Sequence, residues 1–275
     1  MTEADIVALL PVALALGIAG TVAGFLAGLL GVGGGIVIVP VLYHLMSFMH
    51  VEESSRMHIA VATSLATIIA TSFSSVRAHY RHKSIDMALV KRLAPYIFIG
   101  AAIGSALGGN IGSNILAALF AIIALLVAIN IAVTSDTQVV AQTFPAGPAG
   151  AGIGFMIGII SVLMGIGGGT LGVPIMKACN VPIRRAVGTA ASFGFVIAIP
   201  GVIGFILTGW NQPGLPVGNL GYVNLIGVAI IVPMTTLIAP LGARVAHTIE
   251  PKLLRYAFAG FLTLTALRMA YGVFN

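Results

Sequence analysis

Charge is what this chain has least of. Asp, Glu, Lys and Arg together make up 7% of its 275 residues, against about 25% in a soluble domain, so there is too little charge to cover a water-facing surface. Cysteine is almost as scarce. The single Cys179 excludes an intrachain disulfide and says nothing firm about redox compartment. Lys and Arg are missing ahead of the first apolar run, which is preceded only by Glu3 and Asp5; without a basic n-region a cleaved signal peptide is not expected. Charged residues are absent again from Ile59 to Val76 and from Ala186 to Ala243, and from Leu93 to Met176 the only one is Asp136. A transporter that relays protons through a buried carboxylate needs a group that changes charge within its pathway, and none stands out. What fills the chain instead is apolar: 59% hydrophobic residues and a mean hydropathy of +1.10. The formal charge of +6 does not indicate nucleic acid, because the basic residues sit in short segments between apolar runs without interleaved aromatics. That distribution fits cytoplasmic loops of a multi-pass protein of the inner (plasma) membrane.

One stretch organises the rest. Gly31-Val32-Gly33-Gly34-Gly35-Ile36-Val37-Ile38-Val39-Pro40 recurs as Gly165-Ile166-Gly167-Gly168-Gly169-Thr170-Leu171-Gly172-Val173-Pro174, 134 residues on (165 − 31). Around the first copy lie an apolar span from Ile6 to Leu30 with Gly20, Gly24 and Gly28 on one face, a short segment ending near Met49, and a polar loop from His50 to His58. Next come a span from Ile59 to Val76 carrying Thr63, Ser64, Thr67 and Thr71, and a basic loop holding Arg77, Arg81, Lys83, Lys91 and Arg92. Spans from Leu93 to Leu107 and from Ile115 to Val133 close the half. Each long run suffices for a bilayer core of about 30 Å, and the glycine stripes permit close helix approach.

The order then repeats. Gly154 and Gly158 fall where Gly20 and Gly24 stood, and Ala186-Val187-Gly188-Thr189-Ala190 matches Ala60-Val61-Ala62-Thr63-Ser64 at an offset of 126 (186 − 60). This divides the chain into a first repeat over 1–134, a linker over 135–149 and a second repeat over 150–275, all within one membrane domain. Five segments per half is an odd number, so the second copy enters from the opposite face. The expected fold is an all-α integral membrane protein of two inverted repeats, with Gly-rich broken or re-entrant helices near the midplane. The loop from Arg77 to Arg92 is placed inside, along with Lys177 to Arg185 and Arg244 to Arg255, and both termini outside.

Non-helical backbone at membrane depth is tolerated only where protein buries it or a wet cavity borders it. The β-branched run Ile36 to Val39 before Pro40 predicts extended backbone with a helix starting near Pro40. Free N–H groups at a helix start suit a small anion, and inversion would bring two such starts together. Gly33, Gly34, Gly35, Gly167, Gly168, Gly169 and Thr170 are therefore candidate substrate contacts, joined by the hydroxyls of Thr63, Ser64, Thr189 and Ser192. Arg77, Arg184 and Arg185 are candidates for attracting the anion at the cytoplasmic edge. The plainer readings are close packing for the glycines, bonding within their own helix for the hydroxyls, and lipid headgroup contact for the arginines.

The doubled glycine run ending in Val-Pro, with the Ala-x-Gly-Thr-type motif later in each half, resembles the TauE/SafE family of sulfite exporters and related sulfur-anion transporters. The resemblance covers nearly the whole chain. It implies a secondary transporter of small sulfur-containing anions, sulfite or an organosulfonate, with export the usual direction, no cofactor, no catalytic residue and membrane lipids as its surroundings; a homodimer is compatible with it. Ala62 stands opposite Gly188 and Ala190 opposite Ser64, so the two half-sites are chemically unequal. The mechanism expected is alternating access, one half rocking against the other. A second reading takes His44, Met46, Met49, His50, Met57 and His58 as soft ligands of a copper-type metal path, although the second half has no matching cluster. An intramembrane enzyme is a third, but there is no His-Glu-x-x-His motif, no buried carboxylate pair, and no strand, helix and distal acid around Gly31 to Gly35 for a dinucleotide.

Overall fold

A computed structural model describes residues 3–30, 34–133, 139–246 and 250–274. Asp136 lies outside the described residues, as do its neighbours over 134–138. The chain is all-α apart from one short pairing: α1 (Glu3–Leu30), α2 (Gly35–Phe48), α3 (Glu53–Arg81), α4 (Met87–Asn110) and α5 (Ser113–Val133), then α6 (Gly147–Leu163), α7 (Gly169–Ala178), α8 (Ile183–Gly209), α9 (Leu225–Ala246) and α10 (Pro251–Phe274). Between α8 and α9 the chain forms a minimal antiparallel hairpin of β1 (Asn219–Leu220) and β2 (Val223–Asn224). Helices α3, α4, α5, α8 and the Leu225–Gly242 part of α9 are long and apolar enough to cross a membrane. Ile122, Leu126, Leu237 and Leu264 point outward, as expected where the solvent is lipid.

The helices overrun the apolar spans. The segment from His50 to His58 is mostly helical, since α3 begins at Glu53, and Arg77, Arg81, Lys91 and Arg92 sit on the ends of α3 and α4 rather than in a loop. The hydrocarbon is about 30 Å thick, but the polar headgroups add about 10 to 15 Å within which helix continues. The expectation of extended backbone before Pro40 is overturned. Ile36 to Val39 is helical and buried, and Pro40 and Pro174 lie inside α2 and α7. The β-branched penalty is at most about 0.7 kcal/mol per residue, small beside the cost of leaving N–H groups unbonded in a dry interior. Each proline instead leaves one carbonyl without its donor, that of Ile36 and that of Thr170.

At 14 and 10 residues, α2 and α7 are only about 21 and 15 Å long, too short to cross. Helix α6 runs parallel to α4, with Gly100 against Phe155, Gly104 against Ile159 and Gly108 against Leu163. The chain then returns through α7 to the end where the Val140 and Ala141 amides donate to the Ala178 carbonyl. Helices α6 and α7 thus form a hairpin that enters and leaves on one side. Helix α2 likewise returns from depth to the end where α3 starts. Both short helices finish alike: His50 and Asn180 take positive φ, with Val51 N–H on the Met46 carbonyl and Val181 N–H on the Met176 carbonyl, a left-handed helix stop that satisfies orphan carbonyls.

The long helices interlock across the halves. Helix α1 packs on α9, α4 on α6, α3 on α8 and α5 on α10, while α2 lies on α3 and α7 on α8. Exchanging α1–α5 with α6–α10 in order maps each of these pairings onto another or onto itself. A single apolar core draws on both halves, from Ile36 and Leu65 to Phe193 and Leu262.

Candidate functional site

The two glycine runs meet. A Cβ on Gly35 would lie 2.6 Å from the Gly165 carbonyl oxygen and 3.0 Å from Ile166 Cα, so only glycine allows the start of α2 to touch the second run. Gly34 supplies the turn: it has φ of +74°, and its carbonyl accepts the amides of Val37 (3.0 Å) and Ile38 (3.1 Å). Gly33 lies outside the described residues. In the second run Gly165 takes φ of +64°, ending α6 with its own amide on the Val162 carbonyl and the Ile166 amide on Ser161. Gly168 is pressed against Phe193 and Ala190 of α8, whereas Gly167 has nothing closer than 3.7 Å to a Cβ.

Where α7 begins, the amides of Gly169, Thr170 and Leu171 have no carbonyl one turn back within the helix. Two hydroxyls that flank the second glycine run are buried without a partner, Thr170 of α7 at 4% exposure and Ser161 of α6 at 0%. A buried hydroxyl left unbonded costs roughly 1 to 3 kcal/mol, so each is a donor that a polar partner would stabilise. At the offset of the glycine runs, Ser161 falls on Ala27 and Thr170 on Ile36. Of the two runs, only the second has hydroxyls at these positions.

The other candidate hydroxyls have partners. Ser64 donates to the Gly165 carbonyl at 2.7 Å, tying α3 of one half to the glycine run of the other. Thr63 accepts the Asn224 amide at 3.0 Å and Thr189 accepts the Asp86 amide at 2.9 Å. Asn224 and Asp86 are themselves the residues before α9 and α4; their side chains accept the amides of Gly227 (2.6 Å) and Leu89 (3.0 Å). The recurring threonines therefore hold two helix starts, each in the opposite half. Ser192 is half-buried on α8, beside the Phe193 that packs on Gly168. Arg77, Arg184 and Arg185 are exposed and belong to the end of the bundle that also carries Arg81, Lys83, Lys91 and Arg92; they do not join the buried glycines.

Of the His/Met cluster, the structure settles the partners of His58. Among the described residues no three His, Cys, Asp or Glu side chains group together, and both ring nitrogens of His58 face backbone carbonyls. Sequence reasoning missed Ser161 and Asn224, and took His58 only as a candidate metal ligand. Asn224 before an apolar run is a recognisable helix-start signal; Ser161 has no repeated partner to flag it.

The family model described as sulfite exporter TauE/SafE matches residues 16–269. A probable membrane transporter protein of Haemophilus influenzae is 35% identical over 251 residues, covering 91% of this chain and 95% of the relative. Probable membrane transporter proteins of Methanocaldococcus jannaschii (28% identical, 97% of each chain) and Bacillus subtilis (27% identical, 93% of this chain and 97% of the relative) are also similar. No solved structure matches the chain with significance.

Proposed function

Since the chain belongs to the sulfite exporter TauE/SafE family, we propose that this membrane transporter carries a small sulfur oxyanion, sulfite or an organosulfonate, and that it exports it. The observation that carries the reading is the two buried, unpartnered hydroxyls that flank the second glycine run, Ser161 near the end of α6 and Thr170 at the start of α7. An anion bound at the start of α7 would accept from the Thr170 hydroxyl and the amides of Gly169 and Thr170, and from Ser161 where that hydroxyl reaches it, with Gly167 leaving room and Gly34, Gly35 and Gly168 packed around it by backbone. A tetrahedral or pyramidal oxyanion offers several acceptors to such a ring of donors, and the helix start favours its charge. Ser64, Thr63 and Thr189 position the elements around the anion rather than touch it. Arg77, Arg184 and Arg185 raise the local anion concentration at the cytoplasmic mouth.

The two halves are inverted repeats in this proposal, and the site opens to each side in turn. Helix α1 is packed on α9 and α4 on α6, so each packed pair moves as one. The bodies that rock are then composed of both sequence halves, and the short hairpins, weakened at Pro40 and Pro174, give way between them.

The test is thermal stabilisation of the detergent-purified protein by sulfite, sulfate, thiosulfate, taurine, sulfoacetate and chloride. A ligand at a hundredfold excess over its Kd stabilises by about 2.7 kcal/mol. One sulfur oxyanion raising the melting temperature, with the rise lost in Thr170→Val, is the expected result. Equal response to chloride, or none to any anion, would count against the site.

A further inference from the structure

We propose that His58 is a proton-binding site that couples the bundle to a proton gradient. The inference rests on the anion-transport reading for what the proton drives, but not for whether the proton binds. His58 is 3% exposed. Its Nδ1 lies 3.1 Å from the Ser54 carbonyl oxygen, one turn back in α3, and its Nε2 lies 2.9 Å from the Ile111 carbonyl oxygen between α4 and α5. Carbonyl oxygens only accept, and a neutral imidazole carries one N–H. Both contacts are hydrogen bonds only when both nitrogens are protonated. In the neutral ring one lone pair confronts a carbonyl at bonding distance; with the proton on Nδ1 the contact given up is the one to Ile111, which leaves the Met57 amide on the Ser113 hydroxyl (3.1 Å) as the bond between α3 and the start of α5.

Burial opposes the charged ring, and one neighbour favours it. Tyr222 stacks on the ring, with centroids 4.7 Å apart and planes 21° apart, close enough for attraction to an imidazolium. At the offset that pairs Thr63 with Thr189, His58 falls on Arg184, a residue that is permanently charged. A route for the proton exists: His58 borders a cavity of about 600 Å³ whose lining includes Glu53, Asn110, Asn114 and Gln212, all of them exposed. Among the described residues, the ionisable groups facing the ring are Glu53, which lines that cavity, and Tyr222, whose phenol burial pushes further up and so keeps neutral. The α4–α5 turn contributes Asn110 and Asn114, and α8 contributes Phe205 with its ring edge toward the imidazole. Two residues beyond Tyr222, which stacks on the ring, lies the Asn224 amide held by Thr63, so a change of charge on the ring acts on the strand that leads into α9. The proton comes from cavity water and returns to it; no other bond is made or broken.

Two readouts test this. In protein labelled with 15N-histidine, with His58 assigned by its loss in His58→Gln, both ring nitrogens should take the imidazolium signature at pH 5 and lose it by pH 9. A ring that keeps one protonation state throughout would overturn the proposal. In proteoliposomes a gradient of one pH unit should shift accumulation of labelled sulfite, and of sulfoacetate, which does not itself titrate near neutrality, by up to about tenfold for one coupled proton. His58→Gln, whose amide still donates to a carbonyl, should keep anion exchange while its gradient response falls below about twofold; His50→Gln should behave as wild type. An unchanged response in His58→Gln would overturn the coupling. If no sulfur anion exchanges in either protein, the anion reading fails and the ring titration alone decides the proton site.

Discussion

Single glycines differ sharply in what they permit. Gly35→Ala drives a methyl into the Gly165 carbonyl and Ile166 backbone, with Ile68 at 3.0 Å on the other side; backbone cannot turn aside, and overpacking costs about 1 to 3 kcal/mol. Gly152→Ala meets nothing within 4 Å, lies inside α6 and should not lower the melting temperature, since alanine is the better helix former by about 1 kcal/mol. A thermal-shift comparison of the two checks the contact between the runs. Gly34→Ala adds a left-handed alanine, costing roughly 1 to 2 kcal/mol. At Ser64 the prediction concerns the junction itself. Ser64→Ala removes the one side-chain bond to the Gly165 carbonyl and should lower stability by about 1 to 3 kcal/mol, measured by denaturation in detergent.

At the scale of elements, the paired threonines act through helix starts. Asp86→Ala and Asn224→Ala remove caps worth about 0.5 to 2 kcal/mol, while Thr63→Val and Thr189→Val leave a buried amide unbonded at similar cost. Because threonine and cap hold the same helix start, the double variant Thr63→Val with Asn224→Ala should cost less than the sum of the two single losses; full additivity in the same thermal assay would mean that the network does not act as a unit. Much of this level was legible in the sequence. The apolar runs locate the membrane helices, the repeat locates the glycine runs, and the recurrence of Thr63 and Thr189 singles them out. Their partners were not legible, because Asp86 and Asn224 lie far away in the chain and in opposite halves. The prolines misled for a physical reason. Residues before a proline prefer extended backbone in water, but a buried segment must satisfy its amides, and α2 and α7 begin directly after the glycines instead.

Over the whole molecule, neither half has a complete set of packing partners. Helix α1 lies on α9 and α4 on α6, so residues 1–139 expressed alone should fail to give a monodisperse protein in detergent, and co-expression with residues 140–275 should restore one. Two halves that each fold alone would contradict the interlocked packing. The same interlock places the two glycine runs in contact at depth, and with them the unpartnered hydroxyls of Ser161 and Thr170, on which the transport account depends. The most direct measurement is exchange of labelled sulfite and sulfoacetate by purified protein in proteoliposomes, wild type against Thr170→Val at equal melting temperature. The account predicts that wild type exchanges at least one of the two anions and that Thr170→Val raises the half-saturating concentration about tenfold or more, the worth of a hydrogen bond to a charged group. Exchange with the same half-saturation in both proteins, or none in wild type, would contradict it.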